Sequence, residues 1–101
     1  MTVEIFYFEG CPNHKPVSQR VRSVIQEEGL SAEVNEIEVP SEAAAKEVGF
    51  LGSPTVRVNG LDIEPASRDA KQIGFACRCY PGGLPATEMI RAALREAQSQ
   101  A

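Results

Sequence analysis

Residues 55–64, TVRVNGLDIE, leave the chain little freedom. Alternating runs flank Asn59-Gly60, a dipeptide that readily takes the positive φ values of a two-residue hairpin turn. A strand over Thr55–Val58 and a returning strand over 61–64 must therefore lie side by side and antiparallel. Upstream, residues 3–8 are rich in β-branched and aromatic side chains and read as a strand. Residues 32–39 read as another, with Val34, Ile37 and Val39 apolar among acidic and amide residues and a slip in the alternation at Glu36 and Ile37. Between them, Asn13 is a predicted helix N-cap, and Pro16 fits a first turn where a missing N–H costs little. Val17, Val21, Val24 and Ile25 share one helical face, and Gly29 stops the helix. A right-handed crossover makes the first two strands parallel neighbours.

Ser41 is the expected cap of a short helix reaching about residue 47. A last helix is predicted over 86–98, with Met89, Ile90, Ala93, Leu94 and Ala97 on one face. The order β-α-β-α-β-β-α predicts an α/β fold: a four-stranded mixed sheet flanked by helices, in one domain over residues 1–101. An insert over residues 65–83 separates the hairpin from the last helix. It is longer than most connections in compact domains. It carries Ile73, Phe75, Ala76 and Tyr80, apolar enough to fold back onto the body as a flap.

At 101 residues the chain can bury one core, and 43% hydrophobic with 24% charged residues is ordinary for a folded domain. A net charge of -4, with no basic cluster denser than Arg20 and Arg22, argues against a nucleic-acid partner. Apolar runs are too short to cross a bilayer, so no membrane partner is expected. The opening MTVEIFYFEG has neither a basic start nor a long apolar stretch, which points to a cytoplasmic location.

The three cysteines are Cys11, Cys77 and Cys79. An odd number argues against a structural disulfide framework and for reduced, reactive or metal-binding thiols, the bland alternative being thiols that merely pack. Cys11 lies in GCPNHKP, between the strand EIFYF and the first helix. A helix N-terminus favours the thiolate, the nucleophilic form. His14, one turn on, can relay a proton, stabilise that thiolate or bind a metal, or can simply be an exposed first-turn residue.

With Cys11 after the first strand and Ser53-Pro54-Thr55 entering the third, the chain resembles the thioredoxin-like superfamily. The resemblance covers most of residues 1–64 and 84–98. It puts Cys11 on the nucleophile and Pro54 on a cis-proline facing it. His14 falls where a resolving cysteine belongs, a departure from Cys-x-x-Cys. The cis bond would set the Ser53 carbonyl and the Thr55 backbone beside Cys11, so that Ser53, Pro54 and Thr55 form a groove for an extended thiol substrate. GCPNHKP, FLGSPTVRVNG, FACRCY and GGLP followed by IRAALREA are similar, more closely, to small bacterial thioredoxin-like proteins sometimes labelled alkylmercury lyase. That label implies thiolates gripping mercury, here Cys11, Cys77 and Cys79, and an acid to protonate the carbanion.

Three functions follow. The first is a thiol–disulfide oxidoreductase acting on a protein or small-molecule disulfide without a cofactor. In it Cys11 attacks and either a flap cysteine, Cys77 or Cys79, or an external thiol resolves, one of the two flap cysteines facing Cys11 and the other away, with Arg78 favouring nearby thiolates. The second is a site of Cys11, Cys77 and Cys79 for a soft ion such as Hg(II), Cu(I) or As(III). The third is a non-catalytic binding module.

Overall fold

The computed structural model describes residues 1–69 and 73–99. Residues 70–72, inside the expected insert, and 100–101 lie outside the described residues. In chain order the elements are β1 (Thr2–Tyr7), α1 (His14–Glu27), β2 (Glu33–Glu38), α2 (Glu42–Val48), β3 (Thr55–Val58), β4 (Leu61–Asp62) and α3 (Thr87–Ser99), with a single 3-10 turn at Pro65–Ser67. The sheet order is β2-β1-β3-β4. β1 and β2 are parallel, whereas β3 pairs antiparallel with both β1 and β4. Among the described residues the fold is thus α/β, with a mixed four-stranded sheet and three helices, as the element order predicts. Among the described residues no helix is long and apolar enough to cross a membrane.

The pleat of β1 divides the core. Val3 and Ile5 point to one face and join α1 through Val17, Val21 and Val24, and α3 through Ile90 and Leu94. Phe6 points to the other face and packs with Val39, Ala45 and Phe50 beside α2. Full burial of an Ile or Leu such as Ile5 or Leu94 contributes about 1.5–3 kcal/mol. The helices therefore lie on both faces. α2 begins as predicted, with the Ser41 hydroxyl accepting from the Ala44 N–H at 3.1 Å. Its end is set by Gly49, whose left-handed φ of 66° lets the chain turn so that Phe50 N–H reaches the Ala45 carbonyl at 2.9 Å.

Two boundaries differ from the sequence reading for physical reasons. β4 stops at Asp62 instead of 64, because Asp62 and Glu64 turn toward an arginine of the insert. Leu61 is exposed while Asp62 is 5% exposed, reversing the usual hairpin alternation. The α1 N-cap, Asn13, makes no side-chain capping bond, and α1 starts at His14. Cys11 therefore sits in the turn ahead of the helix rather than in its first turn.

β1 and β3 are antiparallel, with Phe6 opposite Thr55, so the start of β3 meets the end of β1. The segment around Ser53 and the segment around Cys11 consequently share one end of the sheet.

Candidate functional site

Cys11 is half-buried and carries a free thiol. Its N–H donates to the Phe8 carbonyl (3.2 Å), and its own carbonyl accepts from His14 N–H (3.4 Å). Beside it opens a hollow of about 570 Å³, lined among others by Tyr7, Glu9, His14, Lys15 and Glu38. A thiol here is sheltered by the turn yet reachable from outside.

His14 lines the same hollow, but its ring is committed elsewhere. It stacks on Tyr7 with centroids 3.6 Å apart and planes 8° from parallel. Its Nε2 is hydrogen-bonded to Glu36 Oε1 at 2.5 Å, and Arg22 Nη2 donates to the other carboxylate oxygen at 3.1 Å. Burial works against the charge on Glu36, but the hydrogen bonds from Arg22 and His14 outweigh it and hold the carboxyl below its ordinary range. Nε2 of His14 thus serves a clamp joining α1 to β2 rather than Cys11. The slip in alternation at Glu36 and Ile37 arises because Val34 packs toward α1 while Ile37 and Val39 pack toward α2 on the other face.

The Ser53–Pro54 peptide bond is cis. Ser53 and Thr55 are 1% and 0% exposed, because the insert lies over them. Ser53 N–H donates to the Ala76 carbonyl (2.9 Å) and its carbonyl accepts from Arg78 N–H (2.8 Å), making a one-residue parallel bridge between Ser53 and Cys77. Thr55 Oγ1 donates to the Gly52 carbonyl, and Tyr80 OH donates to the Pro54 carbonyl at 2.9 Å. The backbone groups expected to receive a substrate strand are occupied in this conformation by the chain itself. Gly52 permits the approach. A Cβ there would lie 2.9 Å from Arg78 Cβ and 3.0 Å from the Ala76 carbonyl oxygen, and its φ of +118° is one that side-chain-bearing residues rarely adopt.

Arg78 anchors the flap. Its Nη1 and Nη2 donate to Asp62 at 2.8 and 3.0 Å, Nη1 also reaches Thr55 Oγ1 at 3.3 Å, and the guanidinium lies 4.7 Å from the centre of the Tyr80 ring. Desolvation opposes the charge on Arg78, yet the Asp62 bond and the neighbouring carboxylates keep its affinity for the proton above normal. Burial pushes the Tyr80 hydroxyl up, so it stays a donor. Arg78 therefore serves Asp62 rather than the thiols on either side of it. Upstream, Gly74 N–H bonds the Phe50 carbonyl at 3.0 Å, and Phe75 packs edge-on against Phe8.

Cys77 and Cys79 are exposed and free. The expectation that they face apart fails on simple geometry. Positions i and i+2 of an extended segment share a side, and Arg78 between them takes the other. Among the described residues no three His, Cys, Asp or Glu side chains gather as a metal site. Cys11, Cys77 and Cys79 are not assembled into one here. The residue that sequence reasoning missed is Asp62. The signal available was an acidic residue at the middle of an apolar hairpin strand, two before Glu64. Comparison with models of protein families, with curated proteins and with solved structures finds no match.

Proposed function

We propose that the chain is a thioredoxin-like thiol protein that carries out thiol–disulfide exchange through Cys11. The observation that carries this reading is the placement of Cys11. It is a half-buried free thiol in the turn between β1 and α1, facing an open hollow at the end of the sheet where the Ser53–Pro54 segment is tied in by the bond from Phe8 N–H to Ser53 Oγ (3.3 Å). The thiolate of Cys11 attacks one sulfur of a disulfide R–S–S–R′. A bond forms between Cys11 and S–R, the S–S bond of the substrate breaks, and R′–S⁻ leaves and takes up a proton. A second thiolate then attacks the mixed disulfide and releases R–S⁻. No cofactor enters either step.

The test is exchange between a small disulfide and a thiol, measured for the wild type and for Cys11→Ser. Formation of the mixed disulfide, the first step, lost in Cys11→Ser and kept in the double variant Cys77→Ser/Cys79→Ser is the expected result. Equal rates for wild type and Cys11→Ser would overturn the assignment.

A further inference from the structure

Resolution of the mixed disulfide needs a second thiol, and the register of the flap distinguishes between the two on offer. We infer that Cys77, and not Cys79, is the resolving thiol for Cys11, an inference that rests on the proposed exchange chemistry. Ser53 and Cys77 are directly opposed, with the bonds Ser53 N–H to Ala76 O and Arg78 N–H to Ser53 O flanking the pair. Opposed residues of a ladder send their side chains to the same face, from strands about 4.7–4.9 Å apart. The Ser53 hydroxyl marks that face. It accepts from Phe8 N–H at 3.3 Å, and the Phe8 carbonyl accepts from Cys11 N–H at 3.2 Å. The Cys77 side chain therefore leaves the flap on the side of the Cys11 turn. Arg78 leaves on the other side, to Asp62 and Thr55.

Cys79 shares the side of Cys77 but not its position. The bridge is parallel, so the flap advances with residues 53–55, and Thr55 lies opposite Phe6. Two residues past Cys77 the flap has moved inward along the sheet, whereas Cys11 lies beyond the end of β1. Tyr80 then pins the chain to the Pro54 carbonyl and prevents Cys79 from sliding back. Closing the Cys11–Cys77 bond requires their Cα atoms to come within about 7 Å. The Cys11 turn is the part that moves, being tied by single backbone bonds on each side.

The electron balance is complete. Cys77 thiolate attacks the Cys11 sulfur of Cys11–S–S–R, the Cys11–Cys77 disulfide forms, and R–S⁻ leaves and is protonated. Over both steps the substrate gains two electrons and two protons, and the two protein thiols lose them. A low-molecular-weight thiol in excess, acting as the reductant, returns the protein to the dithiol form.

The experiment uses the full reduced chain with one equivalent of the disulfide 5,5′-dithiobis(2-nitrobenzoate), followed by acid quench and tryptic mapping. The sequence makes the map decisive: cleavage after Arg78 separates Cys77 from Cys79, giving peptides 72–78 and 79–91, while Cys11 stays in 1–20 because Lys15 precedes a proline. The expected product is 1–20 linked to 72–78 within one chain, in the wild type and in Cys79→Ser. In Cys77→Ser the aryl adduct on Cys11 persists. Attack within the chain has an effective concentration on the order of mM. At about 10 µM protein, removing the internal thiol slows resolution roughly 100-fold. A link from 1–20 to 79–91, or Cys77→Ser resolving as fast as wild type, overturns the inference. A persistent Cys11 adduct in the wild type also overturns it while leaving Cys11 as the attacking thiol. Absence of any Cys11 adduct in every variant overturns the exchange reading itself.

Discussion

Two ionic clamps hold the segments that meet at Ser53, and they differ in depth. On the Cys11 side, Glu36 ties His14 and Arg22 together with side chains 31% and 53% exposed for Glu36 and Arg22. On the flap side, Arg78 and Asp62 are 8% and 4% exposed. Each clamp joins an arginine to a carboxylate at about hydrogen-bond distance. Solvent makes the difference between them. An exposed pair contributes about 0.2–1 kcal/mol. A buried pair stabilises little against an apolar substitute, yet removing one partner strands a charge and costs about 3–5 kcal/mol. The contrast fits the division of labour proposed above. Under that proposal the attacking thiol, Cys11, sits on a turn beside the weaker clamp, and the resolving thiol, Cys77, sits in a bridged segment of the flap that the stronger clamp keeps in register.

Arg78→Met is the hardest blow to that contrast. It leaves Asp62 buried without its cation, and an expected loss of about 3–5 kcal/mol is read by urea denaturation. Adding Asp62→Leu removes the stranded carboxylate and recovers much of that loss, although the Glu64 N–H gives up its 2.8 Å bond to Asp62 Oδ1. A loss below about 1 kcal/mol would put the buried clamp on a par with an exposed pair and erase the distinction.

Tyr80→Phe tests whether register, apart from charge, is held. The hydroxyl donates to the Pro54 carbonyl within a 4% exposed side chain, and the substitution leaves the Arg78–Asp62 pair intact. The expected cost is about 1 kcal/mol, the carbonyl losing its partner. The yield of the Cys11–Cys77 link should fall as the flap gains freedom to slide, with some Cys79 product appearing. An unchanged map would assign the register to Arg78 and the Ser53 bonds alone.

What the sequence disclosed follows the range of the forces involved. β3 was read to its bounds because Val56 and Val58 alternate into a hairpin turn, and Ser41 was recognised as a cap because capping is local. The cis bond at Pro54 was reached through resemblance, not through periodicity. Arg78 lies in an insert without periodicity, 16 residues from Asp62 at the end of β4, so no local pattern could pair them. The same limit turned His14 toward Cys11 in the sequence reading. Its partner Glu36 is 22 residues away, and only the parallel pairing of β1 with β2 brings them together. Residue types that can carry chemistry are visible in the sequence. Their partners are set by topology.

The smallest effect belongs to the exposed clamp, and its pH dependence sharpens the comparison. Because the fold lowers the Glu36 carboxyl below 4.5, it favours the charged form. The stabilisation is therefore complete above about 4.5, the value of the unfolded chain, and disappears as the pH falls through the lowered folded value. Glu36→Gln keeps the shape and one acceptor oxygen but abolishes the charge. Relative to wild type it should lose about 0.2–1 kcal/mol near pH 7, the difference shrinking both below pH 4.5 and in 1 M salt, where the screening length falls to about 3 Å. Denaturation of both proteins across pH 3–7 measures it. A loss as large as that of Arg78→Met, or a difference that grows in acid, would mean that the Cys11 turn is held as firmly as the flap. The turn would then lack the freedom that closing onto Cys77 demands.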